Sequence, residues 1–236
     1  MTRRKPSPTT DKAGTQARGR AAYRLRLRGI FFLLLGALVT LLMLSPSADR
    51  LDDESLAFHM TVEHTGFALG SFLTLYGSEK LIVSLYASSL KTQPRKIVAA
   101  LYLQAAKANH SFNRRGIIGL SIVSVLLAYW HIPENFDGAS LNPGLHIVMH
   151  LSFAAVGGLI FLNLKVVSRA EIMAHTLLLM HVMLIGGILL IVTSEHLYAA
   201  YPFAQQAEAG LFMALPHPFV TVGLVLYLFN RYFWSR

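Results

Sequence analysis

Long apolar runs separated by short polar breaks dominate the chain, and they predict its architecture before any single residue is considered. Six runs, at about 29–45, 56–77, 116–131, 144–164, 171–193 and 209–230, are apolar on most faces and end at charges, Pro or Gly. A bilayer needs roughly 20 mainly apolar residues per crossing, and helices are the default way to satisfy backbone groups in lipid. The reading is an all-α, polytopic transmembrane helix bundle with six spans over residues 29–236. His59, Glu63 and His64 interrupt the second run. The stretch "RKIVAALYLQAAKANHSFNRRG" between runs two and three has helical periodicity with basic residues, which predicts a helix along the membrane surface. Residues 1–28 form a basic tail whose Pro, Gly and Thr content predicts partial disorder.

Composition supports the membrane reading. Of 236 residues, 54% are hydrophobic and 14% charged, against about a quarter charged in a soluble domain. Cysteine is absent, which excludes disulfides, thiolate metal sites and cysteine nucleophiles. A soft metal would have to be held by the ten His and eight Met.

The net charge of +9 first suggests nucleic acid, but its distribution does not. Twenty of the Lys and Arg fall in the tail and in the loops that six spans place on one face, and Arg50 alone falls on the other. That bias puts both termini in the cytoplasm of a multi-pass plasma-membrane protein. The basic surface then meets anionic membrane lipid, with no nucleic-acid partner. The long basic lead before the first run reads as a retained anchor, in preference to a cleaved signal over residues 1–48.

The histidines are placed unevenly on this topology. His59, His64, His131, His146, His150 and His196 all fall at or near the outer face, with His217 deeper on the last run and His181 near mid-bilayer. His146 and His150 are four apart, as are His59 and Glu63, so each pair shares a helix face and can reach one ion. Intramembrane ionisable groups usually face the bundle interior and mark function. Met60, Met149, Met183 and Met213 lie on the same helices, and thioether with imidazole suits Cu(I). Taken singly, each of these residues also has a plain structural reading, as an interfacial side chain, an interhelical hydrogen bond or packing. In "AYWHIPENFDGASLNPGLHIVMH", Pro133 stops the third span, "ENFDGASLNP" is expected as a polar loop, and Asn142 caps the fourth ahead of Pro143. That hairpin brings His131 toward His146 and His150, with Glu134 and Asp137 in the loop available to attract cations.

Four segments, "FHMTVEH" at 58–64, "AYWHIP" at 128–133, "NPGLHIVMHLSF" at 142–153 and "AEAGLFMALPH" at 207–217, resemble in order the CtaG-type cytochrome c oxidase assembly proteins. The resemblance covers roughly residues 55–220. It implies a membrane helix bundle that helps mature haem–copper oxidases, with copper delivery as the usual proposal. It carries function onto His59 and His64, His131, His146 and His150, and onto Glu208 and Met213. Ala207 and Glu208 stand where the family has an Asp-Gln pair.

Two cofactor readings follow. In the first, a copper-binding assembly factor holds its metal with some of His59, Glu63, His64, His131, His146 and His150 and serves a haem–copper oxidase or related respiratory complex. In the second, His64, His150, His181 and His217 hold a haem b between helices of an electron-transfer subunit, with Phe67, Phe153 and Phe212 flanking it. A third reading, without a cofactor, is an accessory subunit of a respiratory or oxygenase complex. No acid lies at a readable spacing to orient Ser152, and the small-residue runs suit helix contact rather than phosphate binding, so nothing in the chain reads as an enzyme's catalytic group.

Overall fold

The structure is a computed structural model describing residues 8–87, 93–219, 221–223 and 226, with side chains described for 19–85, 97 and from 100 onward within those ranges. Among the described residues all regular structure is helical. Helix α1 (Pro8–Met43) is followed by α2 (Pro46–Glu54), a π-helical turn (Phe58–Glu63) and α3 (His64–Ala87). Then come α4 (Gln93–Phe112), a 3₁₀ turn (Arg114–Gly116), α5 (Ile117–Trp130), α6 (Pro133–Leu141), α7 (Pro143–Asn163), α8 (Arg169–Val192) and α9 (Ala204–Ala214). Helical backbone resumes over residues 216–219 and 221–223, and most of the last predicted run lies outside the described residues.

Three helices are long and apolar enough to cross a membrane: residues 19–43 of α1, α7 and α8. A fourth is added if α4 and α5, bent by 64° about Asn113, count as one span. The bend is local chemistry. Arg115 and Gly116 both adopt left-handed backbone, at φ 58° and 68°, and the Asn113 amide braces the corner by accepting Gly119 N–H and donating to Asn163 Oδ1. α3 is comparably long, but Gly, Ser, Thr and the Glu79–Lys80 pair dilute its apolar residues.

Two local differences from the sequence reading matter. "ENFDGASLNP" is helical through α6, not a loop, because Pro133 and Glu134 in the first turn favour helix initiation. α2 was not anticipated. Ser45 accepts Ala48 N–H and caps it, with Pro46 at its first position. The cap expected for α7 is present: Asn142 Oδ1 accepts Gly144 and Leu145 N–H ahead of Pro143. The first helix reaches back to Pro8, so residues 8–28 of the expected tail are helical.

The bundle is turned inside out relative to a soluble protein. Leu34, Leu38 and Leu41 of α1, Ile147 and Leu151 of α7, and Ile185 and Leu189 of α8 face outward, whereas Asp52, His59, Glu63, His64, Asn163 and Gln206 are buried. Such a surface is stable only against lipid. The helices touch backbone to backbone. A Cβ at Gly36 would meet Thr74 N at 2.6 Å and Gly70 O at 2.7 Å, and one at Gly77 would meet Leu33 N at 2.5 Å, so α1 and α3 cross at their glycines. Gly187 and Gly210 join α8 to α9 in the same way.

The apolar core collects at one end, where α3 and α7 start and α1, α5 and α8 finish. Leu56, Met60, Phe67, Trp130, Phe136, Met149, Phe153, Tyr198, Tyr201 and Met213 pack there. α2, α6 and the 193–203 segment close over that end. Gln206 Oε1 accepts Leu197 and Tyr198 N–H, Asp137 accepts Ala199 and Ala200 N–H, and Gln205 pairs with the backbone of Leu56 and Glu54. Asp137 thus clamps the backbone of the covering segment.

Candidate metal centre

The site is built on the π-helical turn. Its i→i+5 bonding inserts one extra residue, and such turns often mark function. In an α-helix His59 and His64 would sit on different faces; the wider turn brings them toward one another, with ring centroids 5.1 Å apart. His59 and Glu63 are fully buried, and His64 nearly so.

α2 and α7 supply the facing groups. α2 lays Asp52 over the turn, with Oδ1 2.7 Å from His59 Nδ1, and α7 brings His146 and His150. His146 Nε2 lies 3.7 Å from Asp52 Oδ2, and His150 Nε2 lies 3.1 Å from Glu63 Oε1. The two Nε2 atoms face each other at 2.7 Å, so one donates to the other. One ligand atom from each of Asp52, His59, Glu63 and His146 falls within 4.8 Å of all the others.

Hydrogen bonding fixes which atoms are free. Tyr201 Oη donates to Asp52 O at 2.9 Å and lies 2.6 Å from His59 Nδ1. Its proton being committed, the phenol can only accept from His59, while Asp52 Oδ1, 2.7 Å from the same nitrogen, makes no hydrogen bond within the protein. Nδ1 therefore carries the imidazole proton and Nε2 presents its lone pair, with the Tyr201 hydroxyl orienting the ring from its far nitrogen. His59 Nε2 and both Glu63 oxygens make no hydrogen bond within the protein, and Glu63 Oε2 stands 3.7 Å from His59 Nε2. Burying such groups unpaired costs several kcal/mol, roughly, by transfer estimates. A cation among them removes that cost, so the donor set fits a metal ion. Tyr201 lies outside the spans, and burial, then Asp52, push its phenol above its ordinary range, which keeps its proton in place.

The other candidates divide. His64 stacks on Phe153 at 3.7 Å and 13°, and His131 lies beside it with centroids 6.2 Å apart. Phe67 stacks on His150 at 4.2 Å. Phe67 and Phe153 thus lie flat on single imidazoles. His181 and His217 form a separate edge-on pair, centroids 4.6 Å apart, on α8 and the helical residues 216–219 after α9. His196 Nε2 pairs with Tyr201 O at 2.6 Å and holds the covering segment. Glu208 and Phe212 are exposed, and Met213 packs in the core with Met60 and Met149.

Three residues that shape the site were missed in the sequence. Asp52 reads there as one of several outer-loop acids, and only α2 folding back buries it. Tyr201 sits 142 positions from His59, beyond the reach of any local pattern. Gln206, 1% exposed, stands three residues after Phe203 in a polar "AQQAE" run that gives no sign of burial.

Comparison with curated proteins and with solved structures finds no match. Residues 13–235, nearly the whole chain, match the family described as cytochrome c oxidase caa3 assembly factor (Caa3_CtaG), and the chain belongs to that family.

Proposed function

We propose that the protein takes up a copper ion at the Asp52–His59–Glu63–His146 cluster, with His150 beside it, and passes it to a cytochrome c oxidase during assembly. Copper is cargo in this reading, and the oxidase is its partner in the same plasma membrane. The observation that carries it is the convergence of four ligand atoms within 4.8 Å of one another in a buried pocket, where His59 Nε2 and both Glu63 oxygens make no hydrogen bond within the protein. Imidazole with carboxylate suits Cu(II), and imidazoles with nearby thioethers suit Cu(I).

The topology proposed with it has six crossings with both termini cytoplasmic. Its support is the Lys and Arg bias, twenty against one, and the gathering of the cluster at the end that this bias makes extracytoplasmic. Asp49, Asp53 and Glu54 lie exposed on α2 around buried Asp52, and their field raises the local cation concentration at the site. Loading at His146 breaks its hydrogen bond to His150 and requires the neutral His146 ring to carry its proton on Nδ1.

The test is metal analysis of purified full-length protein beside oxidase maturation in cells. Wild type is expected to retain copper and support the oxidase, and His59→Ala and His146→Ala to lose both. Equal, negligible copper in wild type and variants would sink the proposal.

A further inference from the structure

Two imidazoles next to this cluster are not part of it. His64 is 3% exposed, and neither of its ring nitrogens makes a hydrogen bond within the protein. Its plane is fixed by the stack on Phe153. His131 has its tautomer set: Nδ1 faces Leu127 O at 2.6 Å and must donate to it. Nε2 is left with its lone pair, buried and unbonded. A backbone carbonyl on the far nitrogen is a usual way of orienting a metal-binding histidine.

The spacing suits one ion between the rings. Their centroids are 6.2 Å apart at an interplanar angle of 74°. A metal–nitrogen bond of ~2 Å on each side, plus about 1 Å from nitrogen to ring centre, gives roughly 6 Å for near-linear coordination. No carboxylate contacts either ring among the described residues, so the donor set is neutral. The neighbouring set carries Asp52 and Glu63. In a low-dielectric interior two neutral imidazoles leave a divalent charge uncompensated, whereas a monovalent ion costs far less to bury. The carboxylate set suits a divalent ion for the converse reason.

We propose that His64 and His131 form a second metal site, a neutral bis-imidazole site for a monovalent ion of the Cu(I) kind, loaded independently of the carboxylate site. The rings of His146, His59, His64 and His131 form a row with centroid steps of 5.3, 5.1 and 6.2 Å. It runs from the partly exposed His146 to the bare nitrogen of His131. The chain then holds two ions of different charge class at once. The inference rests on the metal-carrying reading above and goes beyond it in number, charge and ligands.

The test uses full-length protein in nanodiscs, saturated with Zn²⁺ and then given Cu(I) under anaerobic ascorbate, with both metals quantified after desalting. Wild type is expected to hold about one zinc and about one further copper per chain, the copper showing a two-nitrogen shell at ~1.9 Å by X-ray absorption. His131→Leu and His64→Gln should each lose the copper and keep the zinc, and Glu63→Gln should lose the zinc and keep the copper. Two variants are used so that misfolding of one, seen by circular dichroism, leaves the other to decide. Copper unchanged in the folded His variants, copper lost with Glu63→Gln, or zinc without copper in wild type each overturns the second site alone. Binding of neither metal by wild type, the result if water alone occupies these atoms, overturns the metal reading as well.

Discussion

Glu63 and Glu79 are buried carboxylates at opposite ends of the same helical stretch, and they are treated in opposite ways. Glu79 Oε2 takes a 2.6 Å contact from Lys165 Nζ, and Oε1 accepts a 2.6 Å hydrogen bond from Tyr102 Oη. Lys80 Nζ lies 3.4 Å away. Every component of that cluster is supplied by the chain, and it ties α3, α4 and the turn after α7 together at the end of the bundle away from the metal centre. Glu63 faces imidazoles and the Asp52 carboxylate instead of cations, and neither of its oxygens is hydrogen-bonded within the protein. A buried charge network complete within the fold serves structure. One that lacks its positive member is built for something that arrives from outside.

Replacing each carboxylate by an apolar group of similar size gives the sharpest contrast. Glu63→Leu is expected to raise the stability of the metal-free protein, by roughly 1–4 kcal/mol, as replacing buried charges with apolar groups can do, while abolishing metal retention. Glu79→Leu is expected to lower stability by about 1.5–3 kcal/mol, because Lys165 and Tyr102 lose a charged acceptor. Thermal unfolding in one detergent checks both signs, and equal destabilisation would erase the contrast.

Ligand linkage is the next largest effect. A metal held at a hundred times its dissociation constant should stabilise wild type by about 2.7 kcal/mol and leave Glu63→Leu unmoved. Glu79→Leu leaves the metal centre untouched, so its metal-induced shift should match wild type.

Smaller changes probe the supports. Tyr201→Phe removes the hydroxyl that holds Asp52 and fixes the His59 tautomer. It is expected to weaken metal binding at least ~10-fold, with only about 1 kcal/mol lost in stability; titration and unfolding of one preparation separate the two. Asn142→Ala removes the α7 cap one turn before His146, costing about 1 kcal/mol with metal stoichiometry retained. Loss of stoichiometry there would mean that the helix start itself positions the ion.

Much of this was legible along the chain. α7 and α8 follow from apolar run length, Pro143 and Asn142 mark a helix start that the structure shows, and His146 and His150 share a face because helical spacing requires it. Other features were not legible. The polar composition of residues 133–141 suggests a loop and hides a proline-started helix. The meeting of His59 with His64 depends on a π-helical turn that no residue pattern signals. Depth alone groups His181 and His217 with His64 and His150, whereas the two rings meet each other on α8 and the helical residues 216–219.

Hydropathy, charge bias and helical spacing act between near neighbours or against the solvent, so the sequence by itself determined that this is a helical membrane protein with histidines gathered toward one end. Which of those histidines lose their hydrogen-bond partners, and which distant groups close over them, was decided by packing. α2 buries Asp52, and the segment before α9 delivers Tyr201 to His59, through contacts separated by well over a hundred residues. The physical reason is that an ion site needs donors converging within a few ångströms, and only the assembled bundle sets distances on that scale between separate helices.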